Sequence, residues 1–541
     1  MKGLMMDYSL TLEKILFRAR DVYPETEIIS RMADESLHRY RFSDFYKRTV
    51  QLMNALRALG VRPSDRVATF AWNTYRHMEL YFAIPSMGSI LHTLNIRLFP
   101  EQLVYIANHA EDEFIFIDSS LTKLIAPLQD QLKTVKKFIV MNDGAPVDPS
   151  LKNTLDYEEL LSTAPSTENF PKLEENTAAA LCYTSGTTGE PKGALYSHRS
   201  TFLHSQVICM ADSLGLSMKD RILPVVPMFH VNAWGIPFAC AMTGATPVFP
   251  GAHLIGKPIA ELISNEKVTL AAGVPTIWNA LYAYLKKNPH DTSSLRGLVI
   301  GGSAAPKSMI ENFEKDLKIP IIHAWGMTEM SPVGTVCRIK PALMGQEEET
   351  LFQIKAKQGL TSPLVEMRVL DDEGKDQPHD GKSIGELVVR GPWVIKEYYK
   401  NNSPEAKEAF TSDGYFRTGD IVTIDPFGYM EITDRKKDLI KTRGEWLSSV
   451  EMENYLMAHE DILEACVVGK ADELRGEAVI AFLVPAEGKK EGFSKHAIIR
   501  YLGEKFARWQ VPREGDLHII DSIPKTSVGK FDKKVLRAGR M

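Results

Sequence analysis

Residues 183–193 read Tyr-Thr-Ser-Gly-Thr-Thr-Gly-Glu-Pro-Lys-Gly. The hydroxyls of Thr184, Ser185, Thr187 and Thr188, the glycines Gly186, Gly189 and Gly193, and the ammonium of Lys192 all fall in this one stretch. Glycines let backbone N–H groups close on an anion, and consecutive N–H groups form a concave anion site. Hydroxyls and an ammonium add donors, so the ligand that this composition suits is a polyphosphate. Apolar residues 178–182 and 194–196 flank the stretch and read as strands, which makes it a loop between two strands. A plain surface turn shares the Ser, Thr, Gly and Pro content, but it needs neither the terminal lysine nor the strands. A P-loop NTPase requires Gly-Lys-Ser/Thr opening a helix. Lys192 stands between Pro191 and Gly193, so that pattern fails.

Further polar groups stand where apolar runs end. His230-Val231-Asn232-Ala233-Trp234 follows the run 224–227, a place that the residues by themselves favour as core over pocket. Gly301-Gly302-Ser303 follows the strand-like 298–300; a glycine pair there serves a tight turn or the close approach of a flat ligand. His323-Ala324-Trp325-Gly326-Met327-Thr328-Glu329 ends another apolar run. Glu329 suits Mg²⁺, which takes a few carboxylate oxygens together with phosphates and water; otherwise it is a surface carboxylate. Thr418-Gly419-Asp420 offers a carboxylate able to accept both hydroxyls of a ribose diol, although alone it is a weak turn signal. The charged run 434–438, Asp-Arg-Lys-Lys-Asp, reads in isolation as a solvated linker. Lys530, in Pro524-Lys525-Thr526-Ser527-Val528-Gly529-Lys530, reads in isolation as an exposed tail lysine.

Taken in order, these strings resemble the adenylate-forming superfamily of acyl-CoA synthetases, luciferases and peptide-synthetase adenylation domains. The strings 182–192, 225–234 and 323–329 are most similar to medium- and long-chain fatty-acid CoA ligases, and the resemblance covers essentially the whole chain. It implies that Thr184, Ser185, Gly186, Thr187, Thr188, Gly189 and Lys192 hold ATP phosphates. Gly302, Ser303, His323, Ala324, Trp325, Gly326 and Thr328 then line the adenine and acyl-adenylate site, and Asp420, Arg435, Lys437 and Lys441 complete the nucleotide site. Thr184 and Glu329 become the metal ligands. His230, Val231, Trp234, Gly444 and Trp446 become the acyl and CoA contacts, and Lys530, with Glu329 and Thr184, the catalytic set. Two positions depart from the family pattern. Trp325 stands where tyrosine is usual, with an indole face still available to adenine, and Arg443 stands where many CoA synthetases have glycine.

The elements needed to position these residues are those of an α/β protein. Helical spacing at 42–59 and 75–87 alternates with strand-like runs at 66–71, 90–94, 114–118 and 138–141. Beyond 194 the alternation resumes: a helix over 200–210, a strand over 222–226, a helix from about Val231, a strand over 247–249, a helix over 276–285, and strands at 298–300 and 321–325. Alternation of this kind predicts mostly parallel sheets covered on both faces, with ligands at the carboxyl ends of the strands. Short strands over 351–433 predict a small β-barrel or sheet. The fold expected is therefore two doubly wound α/β subdomains with a small β-barrel over 1–433, a hinge at 434–438 with Lys437 as pivot, and a mobile α+β C-terminal lid domain over 439–541.

Bulk properties fit and narrow the reading. The 541 residues are 44% hydrophobic and 25% charged with a net charge of −5, which gives no electrostatic footprint for nucleic acid. Five cysteines in no metal-like spacing point to a reducing cytoplasm. The N-terminus lacks a signal-peptide core. Residues 222–256 carry no Asp, Glu, Lys or Arg but are broken by five prolines, so they read as protein interior rather than a membrane helix. No Ser/His or Cys/His nucleophile pair is evident. The resemblance then implies an AMP-forming fatty acid–CoA ligase using ATP, Mg²⁺ and CoA, without a transmembrane segment and commonly homodimeric. The rivals are a ligase for a methylthiopropionate-like, short-chain or aryl acid, transfer to a carrier protein, and a non-catalytic nucleotide-binding homologue; the last would be expected to lack Lys530 or Glu329.

Overall fold

The computed structural model describes residues 1, 3–184, 190–442, 445–472, 475–526 and 530–539. Four sheets organise them. A seven-stranded sheet runs in the order Thr154–Asp156, Lys137–Met141, Asp112–Asp118, Arg66–Phe70, Ile90–Thr93, Ala178–Tyr183 and Gly193–Ser197. Its pairs are parallel except the last, where Ala178–Tyr183 and Gly193–Ser197 form a hairpin. A nine-stranded sheet has at its centre Ile321–Gly326, Gly297–Ile300, Leu270–Gly273, Arg221–Pro224, Thr246–Phe249 and Glu27–Arg31, again parallel. Antiparallel strands close its edges: Leu37–Arg41 on one side, Val333–Val336 and Leu360–Thr361 on the other.

Between the sheets lies the helix Tyr75–Ser86, all of whose residues are buried. Thr74 caps it by accepting the His77 N–H. Its apolar side chains join one cluster with Leu91, Cys182 and Phe238. Its buried charges are paired, as burial requires: Glu79 with Arg48 at 2.7 Å and Arg76 with Glu158 at 2.8 Å. Asn73, just ahead of the helix, ties the two sheets together. Its Nδ2 donates to the carbonyls of Pro224 and Val226, and its Oδ1 accepts the Met228 N–H.

The segment predicted as a small barrel or sheet is a four-stranded antiparallel sheet, Glu366–Leu370, Gly385–Arg390, Phe416–Ile424 and Met430–Arg435, in sequence order. The tail builds a fourth sheet from the long hairpin Ile462–Asp472 and Gly476–Pro485, flanked by Ile440–Thr442, Glu445–Leu447 and Leu517–Ile519.

Two sequence expectations change. The first 41 residues do not belong wholly to the first α/β unit, because their hairpin pairs with Thr246–Phe249 of the nine-stranded sheet. The helix expected from about Val231 begins at Ile236 instead. Residues Val231, Asn232, Ala233 and Trp234 adopt φ of 47°, 50°, 47° and 57°, a left-handed turn that L-residues rarely enter. Local propensity does not favour it, so tertiary contacts hold it. The Ala233 N–H donates to Pro227 and His230 carbonyls, and Asn232 Oδ1 accepts the Cys182 thiol. Gly235, at φ 75°, lies against the His204 ring, where a Cβ would come within 2.8 Å.

Candidate active site

Most of the predicted residues sit at the carboxyl ends of parallel strands. The ends of the loop after Tyr183 (Thr184 and Lys192), the turn 230–235, the loop after Ile300 and the turn after Gly326 border one cleft, and the tail brings Lys530 to it. Charges felt across short range define the assembly. Lys530 senses Arg435, Asp420, Glu329 and Lys437, and His230 senses Lys530 and Arg97.

Of the phosphate loop, Ser185, Gly186, Thr187, Thr188 and Gly189 lie outside the described residues, as do Arg443, Gly444 and 527–529. Thr184 and Lys192 stand at the two ends of that loop. They are held together by the Thr184 N–H donating to the Lys192 carbonyl at 2.9 Å and by the Lys192 N–H donating to Thr184 Oγ1 at 3.3 Å. The register of the hairpin, Tyr183 opposite Gly193, continues directly into this closure.

Glu329 is buried in a short turn, Thr328–Met330. Burial raises its pKa, against its own backbone N–H, Tyr398, Arg435 and Lys530, which favour the charged form. The Tyr398 hydroxyl donates to Oε1 at 2.9 Å. Among the described residues no group of three or more His, Cys, Asp or Glu is poised to hold a metal ion. A lone buried carboxylate suits a cation that takes its remaining ligands from phosphates and water, so the donor set fits Mg²⁺ carried with a nucleotide. Thr328 is buried too, its carbonyl accepting the Tyr196 hydroxyl at 2.5 Å. Gly326 is required by close approach: a Cβ there would lie 2.0 Å from the Pro332 carbonyl oxygen.

Asp420 is fully buried. Its Oδ2 accepts the Trp325 indole N–H at 2.9 Å, while Arg435 Nε lies 2.6 Å from Oδ1. Oδ1 takes no well-angled hydrogen bond, which leaves lone-pair capacity for a hydroxyl. Trp325, expected to present a face to adenine, is only 7% exposed and packs with Met330 and Val207. Its visible task is to orient Asp420, through an indole N–H that the phenol of the usual tyrosine lacks.

His323 has both ring nitrogens engaged, Nδ1 near the Ala356 carbonyl and Nε2 near the Ala305 N–H, and burial lowers its pKa to about 4. It fastens the loop 301–306. Ala324 lies on the same strand, and Gly302 and Ser303 are exposed on the loop, Gly302 at φ 81°. Gly301 faces Trp234 so closely that a Cβ would lie 2.8 Å from the indole. Val231 is buried beside it, and His230 is driven down to about 3 by burial and by the positive charges of Lys530 and Arg97.

Lys525 and Phe531 form an antiparallel bridge, and the Thr526 N–H donates to the Lys530 carbonyl at 2.7 Å. Burial and then Arg435 lower its pKa to about 8, against the opposing pull of Asp420 and Glu329. Lys437 lies in the turn after Arg435, its pKa also lowered by burial. Two predicted residues are not drawn into the cleft: Lys441 and Trp446 face each other across the tail hairpin, 5.1 Å from ammonium to ring centre, and both are exposed.

Sequence reasoning passed over several residues. Tyr398 joins Glu329 to Lys192, whose ammonium lies 5.0 Å from its ring centre. Arg97 sits over the Phe229 ring at the cleft mouth. Lys533 and Arg537, just beyond Lys530, bind Glu453 and Asp438 at 2.8 and 2.7 Å. The basic run at the tail was the available signal for the last pair; the others are contacts between distant segments.

The fold and this cleft define an adenylate-forming enzyme. The chain belongs to the AMP-binding enzyme family, which matches residues 16–399, with the AMP-binding enzyme C-terminal domain matching 451–530. It is 45% identical over 98% of its length to a long-chain-fatty-acid–CoA ligase of Thermus thermophilus, covering 96% of that protein. It is 43% identical over 99% of its length to a 3-methylmercaptopropionyl-CoA ligase of Ruegeria lacuscaerulensis, covering 98% of it. The crystal structure of an anthranilate CoA ligase in complex with anthranoyl-AMP superposes with a TM-score of 0.86 at 25% identity, covering 100% of this chain and 99% of the other.

Proposed function

We propose that the protein is an ATP-dependent, AMP-forming ligase joining medium- to long-chain fatty acids to CoA through an acyl-adenylate. The observation that carries this is the convergence of Lys530, Glu329, Asp420 and Arg435 in one cleft. A fatty carboxylate oxygen attacks the α-phosphorus of ATP and pyrophosphate leaves. The CoA sulfur then attacks the acyl carbonyl and AMP leaves. Neither step needs a protein nucleophile, so the protein's share is alignment and charge stabilisation. Lys530 neutralises charge between carboxylate and α-phosphate. Thr184 and Lys192 hold the β- and γ-phosphates, Asp420 and Arg435 the ribose. Glu329, with Thr184, would hold Mg²⁺, which supplies further charge neutralisation on the phosphates.

The proposal divides the chain into a body at 1–433, a hinge at 434–438 and a lid at 439–541, and takes it to work in the cytoplasm as a homodimer. Free cysteines support the compartment; the homodimer rests on the family resemblance. Gly444 and Trp446 are assigned to the second step, reached by lid rotation, and Lys441 to the nucleotide.

Release of AMP and pyrophosphate, measured from acetate to palmitate with and without CoA, tests the reading. CoA-dependent AMP release peaking at medium or long chains is expected. A peak at methylthiopropionate or an aryl acid would reassign the substrate, and pyrophosphate exchange without thioester would move the acceptor elsewhere.

Two expectations follow from the geometry. The Lys530 ammonium is the working form, so kcat/KM for adenylation holds below its free-enzyme pKa of about 8 and falls as the pH rises through it. Bound polyphosphate favours the charged form, so the limb for kcat lies at higher pH. Trp234→Ala opens space beside Gly301 and shifts the chain-length optimum upward. Each additional buried methylene is worth about fourfold in kcat/KM, from roughly 0.8 kcal/mol per CH₂. An unchanged chain-length profile would remove Trp234 from the pocket wall.

A further inference from the structure

Glu329, in the turn after Ile321–Gly326, and Lys192, just ahead of Gly193–Ser197, flank strands of different sheets, yet one residue touches both. Tyr398 is 7% exposed, on the loop that follows Gly385–Arg390. Its hydroxyl donates to Glu329 Oε1 at 2.9 Å, and its ring centre lies 5.0 Å from Lys192 Nζ. The backbone around it is fastened to the same two places. The Ile395 N–H donates to the Glu329 carbonyl at 2.8 Å, and the Tyr399 N–H donates to the Gly193 carbonyl at 2.8 Å. Tyr399 and Gly193 form a β-bridge close enough that a Cβ on Gly193 would lie 3.1 Å from that of Tyr399.

We propose that Tyr398 is a positioning residue that sets both halves of the nucleotide's phosphate site, orienting the Glu329 carboxylate toward the metal and the Lys192 ammonium toward the phosphates. The inference deepens the function proposed above and rests on its assignment of Glu329 and Lys192. The hydroxyl has one orienting task. By donating to Oε1 it fixes the plane of the carboxylate and directs Oε2 outward as a ligand, the part that groups behind metal ligands play elsewhere. The ring has a different task. An ammonium over an aromatic face is held by attraction to the ring, without the neutralisation that a paired carboxylate would bring. Among the described residues Lys192 makes no ion pair within 4 Å; Glu405 is an exposed carboxylate that feels its charge. Lys192 therefore keeps its full charge for a phosphate.

The two tasks separate by mutation, because Tyr398→Phe removes only the hydroxyl and Tyr398→Leu removes the ring as well. The readout is equilibrium binding of α,β-methylene-ATP, by calorimetry, with Mg²⁺ and with EDTA. Tyr398→Phe is expected to lower the gain in affinity that Mg²⁺ confers by about tenfold, the usual effect of losing a group behind a metal ligand, while metal-free affinity stays at the wild-type value. Tyr398→Leu is expected to lower metal-free affinity as well, by about fivefold. In a Glu329→Gln background, Tyr398→Phe should have no further effect on the Mg²⁺ gain. A Tyr398→Phe enzyme that keeps the whole Mg²⁺ gain, or that loses metal-free affinity to the same extent, overturns the inference while leaving the site assignment standing. A wild-type protein whose nucleotide affinity gains nothing from Mg²⁺ overturns the assignment and the inference together.

Discussion

Lys530→Ala should abolish acyl-adenylate formation in practice, lowering it by roughly 10²- to 10³-fold, the loss seen when one preorganised charge or donor is removed from a transition state. Conversion of supplied acyl-AMP and CoA to thioester should change far less. The asymmetry follows from where the ammonium sits. Its charge interacts with Asp420, Glu329 and Arg435, the proposed ribose and metal side of the cleft, and with His230 on the acyl side. A cation at that junction can bridge an attacking carboxylate and an α-phosphate, both anionic, and lower their repulsion in the first step. In the second step the phosphate is a leaving group. Single-turnover formation of acyl-AMP, followed in parallel with thioester formation from synthetic acyl-AMP, measures both. Equal losses in the two halves would mean that Lys530 serves the fold or general binding. Lys530→Arg is an informative companion: it keeps the charge in a broader, planar head, so partial recovery of the first half alone would mark charge as the function.

What could be read ahead of the structure was what is local. The phosphate loop announces itself because hydroxyls, glycines and a lysine crowd between two apolar runs, and those runs are indeed the hairpin Ala178–Tyr183 and Gly193–Ser197. The strand-end placement of Gly301, Thr328 and Glu329 was legible for the same reason. What stayed hidden depends on contacts between distant residues. Trp325 looked like a surface for adenine because indole has a flat face, but its N–H reaches Asp420, 95 residues away, and the ring is buried. Tyr398 gave no local signal, since its meaning lies in Glu329, 69 residues earlier. The left-handed turn at 231–234 opposes local propensity and exists only because His204, Cys182 and Pro227 surround it. The N-terminal hairpin has ordinary strand alternation, and nothing in it says which of two sheets it will join.

Lys437→Pro should separate the two half-reactions, leaving adenylation measurable while overall thioester synthesis falls by at least about tenfold, because proline fixes φ at the proposed pivot. The proposed rotation would act between two anchors. On the body side, the strand Met430–Arg435 is paired with Phe416–Ile424. On the tail side, Asp438 pairs with Arg537 at 2.7 Å, which ties the end of the proposed hinge to the segment that follows Lys530. Between these anchors lie Lys436 and Lys437. The present posture is fastened by Asp434, whose buried carboxylate accepts the Ser449 N–H at 2.6 Å and the Ser449 hydroxyl at 2.8 Å. These bonds join the first residue of the proposed hinge to the tail, so a rotation about residue 437 would break them and would require the 437 backbone to change conformation. Proline fixes φ near −65° and also restricts the residue before it. It therefore removes the freedom on which the proposed exchange of Lys530 for the strands that carry Lys441 and Trp446 would depend. Rates of acyl-AMP formation and of thioester formation from supplied acyl-AMP, compared with Lys437→Ala, decide the matter. Alanine keeps backbone freedom and should leave the ratio of the two rates near that of the wild type. If proline left overall turnover unchanged, the pivot would have to lie outside residue 437, and the Asp434–Ser449 contact would have to persist through the whole cycle.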